Sequence, residues 1–215
     1  CDVFPIHFDL MSGKNRTAQF NAVEMLSEWF KKQYGTHFHS LPLTQDNMYI
    51  PLYDSNIIFG HLKENWYDYR DLKRNRNALI ALYSSSYGIL PHINADALAI
   101  GSINQDSMGD SSSEYWSNVN EMINIGIHES RKGHPMTVFA PYQILNWGKI
   151  EIVEYARRKE IPIEMSWSCR VSSEYECYDR PDGKKICSTC MKRKHAIDVV
   201  DSLIQREDKV ILTDI

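Results

Sequence analysis

Four cysteines carry the clearest chemistry in this chain: Cys169, Cys177, Cys187 and Cys190, spaced C-x7-C-x9-C-x2-C. The Cys187-Ser188-Thr189-Cys190 pair has the spacing of a turn that grips one ion with two thiolates. Two more thiolates from a nearby loop complete a tetrahedral shell at about 2.3 Å, as in structural zinc sites. Between Cys177 and Cys187 lies Pro181-Asp182-Gly183, a turn signal that returns the chain toward the metal. Lys184, Lys185, Lys192, Arg193 and Lys194 offer positive charge against a zinc tetrathiolate. Four thiolates leave no open position, so the zinc is expected to be structural and not catalytic. A redox C-x-x-C or a set of buried free thiols is the alternative reading of the same residues. No H-x-x-E-H spacing occurs among the eight histidines, so a catalytic zinc is not expected, and His195 is expected at the surface.

The elements that must position this cluster alternate along the chain. Val3 to Phe8 reads as a strand, and Thr17 to Gln33 as an amphipathic helix with Phe20, Val23, Leu26, Trp29 and Phe30 at helical spacing. Gly35 suits the C-cap of that helix. His37 to Leu43 reads as a short strand, and Thr44 to Lys73 as an irregular excursion. Asn77 to Tyr87 reads as a helix with Leu79, Ile80, Leu82 and Tyr83 inward. Ala95 to Gly101 is apolar enough for a strand buried on both faces. A polar loop over 101–113, a helix over Glu114 to Arg131 and a strand over Met136 to Ala140 follow. After the 141–147 loop come a helix over Gly148 to Lys159, a last core strand over Ile161 to Trp167, the cysteine loop, and a helix from about Cys190 to Arg206. Trp147 and Trp167 are expected as core or pocket wall. Such alternation predicts an α/β fold with a doubly wound parallel sheet. Its ligands should sit at the carboxyl ends of the strands.

Composition narrows the function. With 24 Lys and Arg against 28 Asp and Glu the net charge is -4, so no global positive field exists to grip nucleic acid. The 215 residues, 43% hydrophobic and 24% charged, suit one globular domain with a sizeable core. No apolar run approaches the roughly 18 residues needed to span a membrane, and no signal peptide is visible. Cysteines clustered in a chain of this size point to a metal site in a reducing cytoplasm and not to a secreted disulfide scaffold. Cys1-Asp2-Val3-Phe4 begins as a strand already under way, which predicts further sequence upstream.

The run Trp167-Ser168-Cys169, the remaining cysteines, and Met191-Lys192-Arg193-Lys194-His195-Ala196 resembles the C-terminal end of the 7-cyano-7-deazaguanine synthases, QueC-like enzymes of the PP-loop ATP pyrophosphatase superfamily. Weaker likenesses agree in order. They are Phe8-Asp9 with Ser12-Gly13-Lys14-Asn15, Arg76-Asn77, the loop from Gly101 through Asp106 to Gly109, and Pro141 followed by Lys149-Ile150-Glu151-Ile152. Two departures stand out. The superfamily's Ser-Gly-Gly-x-Asp-Ser phosphate loop is not in the chain and is expected upstream of Cys1. Asp110-Ser111-Ser112-Ser113 also replaces the family's Tyr-Pro-Asp-Cys.

The resemblance implies an adenine-nucleotide alpha-hydrolase-like (PP-loop) fold spanning 1–215 as one domain. Its sheet core would occupy 1–167, lacking the first strand and phosphate loop, with a zinc-binding segment and C-terminal helix over 168–206. It implies a ligase that adenylates 7-carboxy-7-deazaguanine with ATP and Mg2+ and converts it with ammonia, through an amide, to 7-cyano-7-deazaguanine. It assigns Lys149 and Asp106 to catalysis, Phe8 and Asp9 to the nucleotide, and Arg76 and Asn77 to the substrate. It leaves a homodimer open. Two other functions remain. One is an anti-phage defence enzyme that joins the activated deazaguanine to a protein or nucleic-acid amine, because the altered serine loop changes the acceptor side. The other is a non-catalytic zinc-containing binding module, if the phosphate loop is truly missing.

Overall fold

The structure, a computed structural model, describes residues 1–7, 16–39, 76–103, 111–169, 171–172, 174–182 and 186–213. The chain divides into two compact units, Cys1–Tyr53 with Lys149–Ile215, and Asp54–Gly148.

In the second unit, helix α2 (Arg76–Gly88) leads into strand β1 (Ala97–Ala99), helix α3 (Ser113–Ile127) and strand β2 (Thr137–Phe139). The strands pair in parallel with Ala97 opposite Thr137 and Ala99 opposite Phe139, so α3 is the crossover a parallel pair requires. Ser112 caps α3 by accepting from the Tyr115 amide at 3.1 Å. Trp116, Val119, Ile123 and Ile127 recur along one face of α3 and bury against Met136, Val138 and Ala140. Asn120 and Asn124 lie on the same helix and meet the edge of β2 that faces away from β1. Asn124 Oδ1 accepts from the Met136 amide and its Nδ2 donates to the Met136 carbonyl, both at 2.8 Å. Asn120 Oδ1 accepts from the Val138 amide at 2.8 Å. Two side chains thus complete the edge as a further strand would.

The structure departs from expectation at three places in this unit. Of the apolar set expected inward on α2, Leu82 packs against the core and Ile80 is half-buried, but Leu79 and Tyr83 are exposed. Ala81, Ser84, Ser85 and Gly88 are buried instead, a small-residue stripe that lets the helix come close to the sheet. A Cβ on Gly88 would meet Met136 Cε at 3.1 Å. The serine hydroxyls spend their donors on helix carbonyls, Ser84 on Ile80 and Ser85 on Leu82, both at 2.8 Å, so they bury at little cost. β1 is also covered on one side only, with Ala97 and Ala99 exposed and Leu98 half-buried. After β2, the 141–147 segment read as loop contains a short helix, α4 (Pro141–Ile144), opened by a proline at its first position.

The first unit begins with residues 1–7 and helix α1 (Arg16–Tyr34). The helix ends at Gly35, whose φ of +58° is the left-handed value expected of a C-cap glycine. Val3 and Phe38 form a parallel bridge across α1 through Val3 N to His37 O at 2.8 Å and His39 N to Val3 O at 2.9 Å. The two flanking strands read from the sequence are therefore parallel neighbours, reduced to one bridge among the described residues. The unit continues with α5 (Lys149–Arg158), a 3-10 turn at Ile163–Met165, another at Cys177–Asp179, and α6 (Ser188–Thr213). The expected strand over Ile161 to Trp167 is not formed. Pro162 lacks a ladder donor, and the Ile163 carbonyl is taken by Ser166 N at 3.0 Å, Ser166 Oγ at 2.6 Å and Arg193 Nη2 at 2.8 Å. No described helix is long and apolar enough to cross a membrane.

Candidate functional site

The four cysteines converge within the first unit. Cys169 follows Trp167 and Ser168, Cys177 opens a 3-10 turn, and Cys187 and Cys190 straddle the start of α6. Their sulfurs all lie within 4.8 Å of one another, with Cys169, Cys177 and Cys190 buried and Cys187 half-buried. None is in a disulfide. A tetrahedral ion with sulfurs at about 2.3 Å needs sulfur separations of about 3.8 Å. The Cys169 to Cys177 separation of 3.0 Å is too long for a covalent bond of about 2.05 Å and needs under an ångström of adjustment to embrace an ion.

The surroundings favour thiolates once a cation is present. Val171 N and Ser172 N donate to Cys169 Sγ at 3.3 and 3.2 Å, a backbone cradle for negative sulfur. Cys190 sits in the first turn of α6, at the positive end of the helix dipole. Without a cation two of the thiols resist ionisation. Burial, reinforced by the contact with Cys169, pushes Cys177 up to about 11. Burial and the contact with Glu176 push Cys190 higher still. Four thiols, three of them buried, that gather in one cluster suit a divalent cation able to compensate their charge as they deprotonate, so the donor set fits a zinc ion. Trp167 closes one wall, its indole N–H donating to the Cys169 carbonyl at 3.1 Å. His195 is exposed, as expected.

The spacing of the cysteines did not reveal Glu176, Ser168 or the use made of Arg193. Glu176 lies next to Cys177 and is buried. It takes the Arg193 guanidinium at 2.5 Å and accepts from Cys190 Sγ at 2.7 Å. Arg193 is thereby committed to a carboxylate. Lys194 pairs with Asp198 at 3.2 Å and lies 6.0 Å over the Tyr178 ring. Glu176's only sequence signal was its place beside a cysteine of the cluster.

The other expected site residues divide between the units. Lys149 is the first residue of α5 in the first unit and is half-buried. In the second unit, Arg76 opens α2, and Asn77 Nδ2 donates to Ser111 Oγ at 3.2 Å. Gln143, on α4 just past β2, donates through Nε2 to the Ser111 carbonyl. Asn77, Ser111 and Gln143 thus form a polar cluster beyond the carboxyl end of β2, where ligands of parallel sheets bind. Phe8, Asp9 and Asp106 lie outside the described residues.

Comparison with known proteins adds the family. The sequence profile described as "Queuosine biosynthesis protein QueC" matches residues 25–201. Among curated proteins, the chain is similar to the 7-cyano-7-deazaguanine synthase of Prochlorococcus marinus (strain NATL2A), at 30% identity over 122 residues, 57% of this chain and 50% of that protein. It is similar to proteins of the same name from Nostoc punctiforme, at 22% over 132 residues, covering 60% and 55%, and from Sulfurimonas denitrificans, at 29% over 98 residues, covering 45% and 38%. The chain spans about half the length of the curated relatives it matches.

Proposed function

Because the chain belongs to the QueC family of queuosine biosynthesis proteins, we propose that it acts in 7-deazaguanine chemistry as an ATP-dependent carbon–nitrogen ligase. The substrate is 7-carboxy-7-deazaguanine. Its carboxylate attacks the α-phosphorus of ATP and pyrophosphate leaves. Ammonia then displaces AMP to give the amide. The amide oxygen then attacks the α-phosphorus of a second ATP, pyrophosphate leaves, and cleavage of the C–O bond with loss of AMP and the N–H protons gives the nitrile of 7-cyano-7-deazaguanine.

The observation that carries this reading is the family match over residues 25–201, with the four cysteines gathered into one metal-sized cluster inside it. In this reading zinc is structural, held by Cys169, Cys177, Cys187 and Cys190, and fixes the loop that precedes α6. The barrier to adenylation is charge developing on phosphate and acyl oxygen, which positioned cations and donors lower. Lys149 is assigned to the phosphates. It stands in the first turn of α5, at the helix end whose dipole favours an anion such as phosphate. Arg76 is assigned to the planar carboxylate, whose two oxygens match its fork, and Asn77 to the substrate beside it. Asp106 is assigned either to the guanine-like N–H edge or to Mg2+, and Phe8 and Asp9 to the nucleotide. The chain is taken as a single PP-loop ATPase-like domain in a reducing cytoplasm.

The test is AMP release by the natural protein from ATP and 7-carboxy-7-deazaguanine with ammonia, with products identified by mass. Formation of the nitrile supports the proposal. AMP release with the deazaguanine recovered on a protein or nucleic-acid amine moves the assignment to conjugation. No AMP release with any acceptor overturns the enzyme reading.

A further inference from the structure

Glu176 is a costly residue to bury, and it is not one of the four residues whose donor atoms gather within 4.8 Å of one another. Its side chain is 7% exposed. Oε1 accepts from the Ser168 amide at 2.9 Å and from Arg193 Nη1 at 2.5 Å, and Oε2 accepts from the Cys190 thiol at 2.7 Å. Ser168 Oγ lies 3.2 and 3.1 Å from the two carboxylate oxygens. The Arg193 side chain is 13% exposed, and its other nitrogen donates to the Ile163 carbonyl at 2.8 Å. These residues join segments that are far apart in sequence. Ser168 precedes the ligand Cys169, Glu176 precedes the ligand Cys177, and Arg193 lies one turn beyond the ligand Cys190 on α6. The guanidinium also ties the cluster to the Ile163–Met165 turn. A buried carboxylate is tolerated only where charge and hydrogen bonds answer it, and here every answering group belongs to the walls of the sulfur cluster.

The geometry points to Glu176 as a positioning residue of the metal centre. With Ser168 and Arg193 it gathers the sulfurs of Cys169, Cys177 and Cys190 before an ion arrives, and so sets how tightly the centre holds a thiophilic divalent cation such as Zn2+ or Co2+. The inference rests on the metal reading of the four cysteines and is independent of the reaction proposed above. Sites assembled in advance lose less ordering entropy on binding, and groups that orient metal ligands tune affinity even though they never touch the ion.

The experiment strips the full chain of metal under reducing, oxygen-free conditions and titrates it with Co2+. The sulfur-to-cobalt charge-transfer and visible bands report tetrahedral thiolate coordination. A chromogenic chelator gives the zinc affinity by competition, and melting of the metal-free proteins is recorded alongside. Glu176→Ala is expected to weaken metal binding roughly 10–100-fold and to alter the cobalt bands. Glu176→Gln, which keeps an acceptor oxygen but loses the charge facing Arg193, should fall between. Adding Arg193→Ala to Glu176→Ala should weaken binding little further, since both act through one contact. A lower melting temperature with unchanged affinity and unchanged bands would make Glu176 a structural residue only and overturn the proposal. If Glu176→Ala does not fold, Glu176→Gln and Ser168→Ala decide the matter, and wild-type affinity and bands in both overturn it. Failure of the wild-type chain to take up either metal overturns the metal reading and this inference with it.

Discussion

Replacing Cys190 by serine removes one of three sulfurs that are almost wholly out of water and leaves a hydroxyl that binds zinc poorly at neutral pH. Metal analysis of protein purified under reducing conditions should find about one zinc per wild-type chain and a small fraction of that in Cys190→Ser. Protease digestion should cut the variant within 168–190, because structural zinc contributes folding free energy directly. The four-cysteine cluster was legible in the sequence because residue type and spacing alone mark that chemistry. Glu176, Asn120 and Asn124 were not. Each acts on a partner that only the fold brings near, Glu176 on an arginine 17 positions away and the asparagines on the edge of β2. In a helix such asparagines look like neutral surface choices. Asn124→Leu should therefore cost more than a surface change. It strands both the amide and the carbonyl of Met136 beside an almost fully buried side chain, a loss of roughly 2–4 kcal/mol. Denaturant unfolding of the variant measures it, and a loss below 1 kcal/mol would mean that water replaces the side chain.

Helices were read well and strands less well, for a reason visible in α2. The sequence reading assumed that the largest apolar side chains face inward. Leu82 does pack against the core, but Leu79 and Tyr83 are exposed and the buried positions are Ala81, Ser84, Ser85 and Gly88, a periodicity in size that carries no hydropathy signal. The 161–167 segment shows the complementary error. Its apolar residues suggested a core strand, yet local donors take the Ile163 carbonyl and Pro162 offers none of its own. Where α5 ends, Glu160 adopts φ +55°. Ile161 N reaches Ala156 O at 2.8 Å and Glu160 N reaches Arg157 O at 3.1 Å, the paired bonds of a Schellman stop. A side chain in that left-handed conformation is strained, so Glu160→Gly should raise stability by roughly 0.5–1 kcal/mol, read as a higher melting temperature. The same junction has a pH signature. Arg157 holds Glu164 and Asp201, with Nε 3.0 Å from Asp201 Oδ1. Burial pushes the Glu164 carboxyl up, but its backbone bond and Arg157 outweigh that and hold it below the usual carboxylate range. A depressed acid stabilises the fold above its unfolded pKa and loses that contribution as pH falls through its folded pKa. Arg157→Ala should therefore lower stability at neutral pH and make the acid side of the stability curve shallower. An unchanged slope in acid unfolding would remove Glu164 from the account.

At the scale of the molecule, the sequence conveyed the alternation of strands and helices and the family. Three of its assigned site residues, Phe8, Asp9 and Asp106, fall outside the described residues, and Arg76 and Asn77 lie in a different compact unit from Lys149. The roles proposed for these residues are therefore best separated kinetically. A net charge of -4 offers no general attraction for ATP or for a carboxylated base, so individual cations must hold them. If Lys149 meets the phosphates and Arg76 the substrate carboxylate, each substitution should damage one substrate's term more than the other's. Lys149→Ala should raise the KM for ATP, and Arg76→Ala the KM for 7-carboxy-7-deazaguanine. Asp106→Asn should lower kcat/KM by roughly 30- to 1000-fold, the equivalent of 2–4 kcal/mol for a lost charged partner. Its dependence on added Mg2+ then divides the two roles open to that aspartate. Partial recovery at high Mg2+ marks a metal-facing carboxylate. No recovery, together with weaker selection of the guanine-like ring over an analogue lacking the 2-amino group, marks a base-reading one. Wild-type rates of AMP release in Arg76→Ala and Asp106→Asn together would remove both residues from the site and leave the family's reaction to be located elsewhere in the chain.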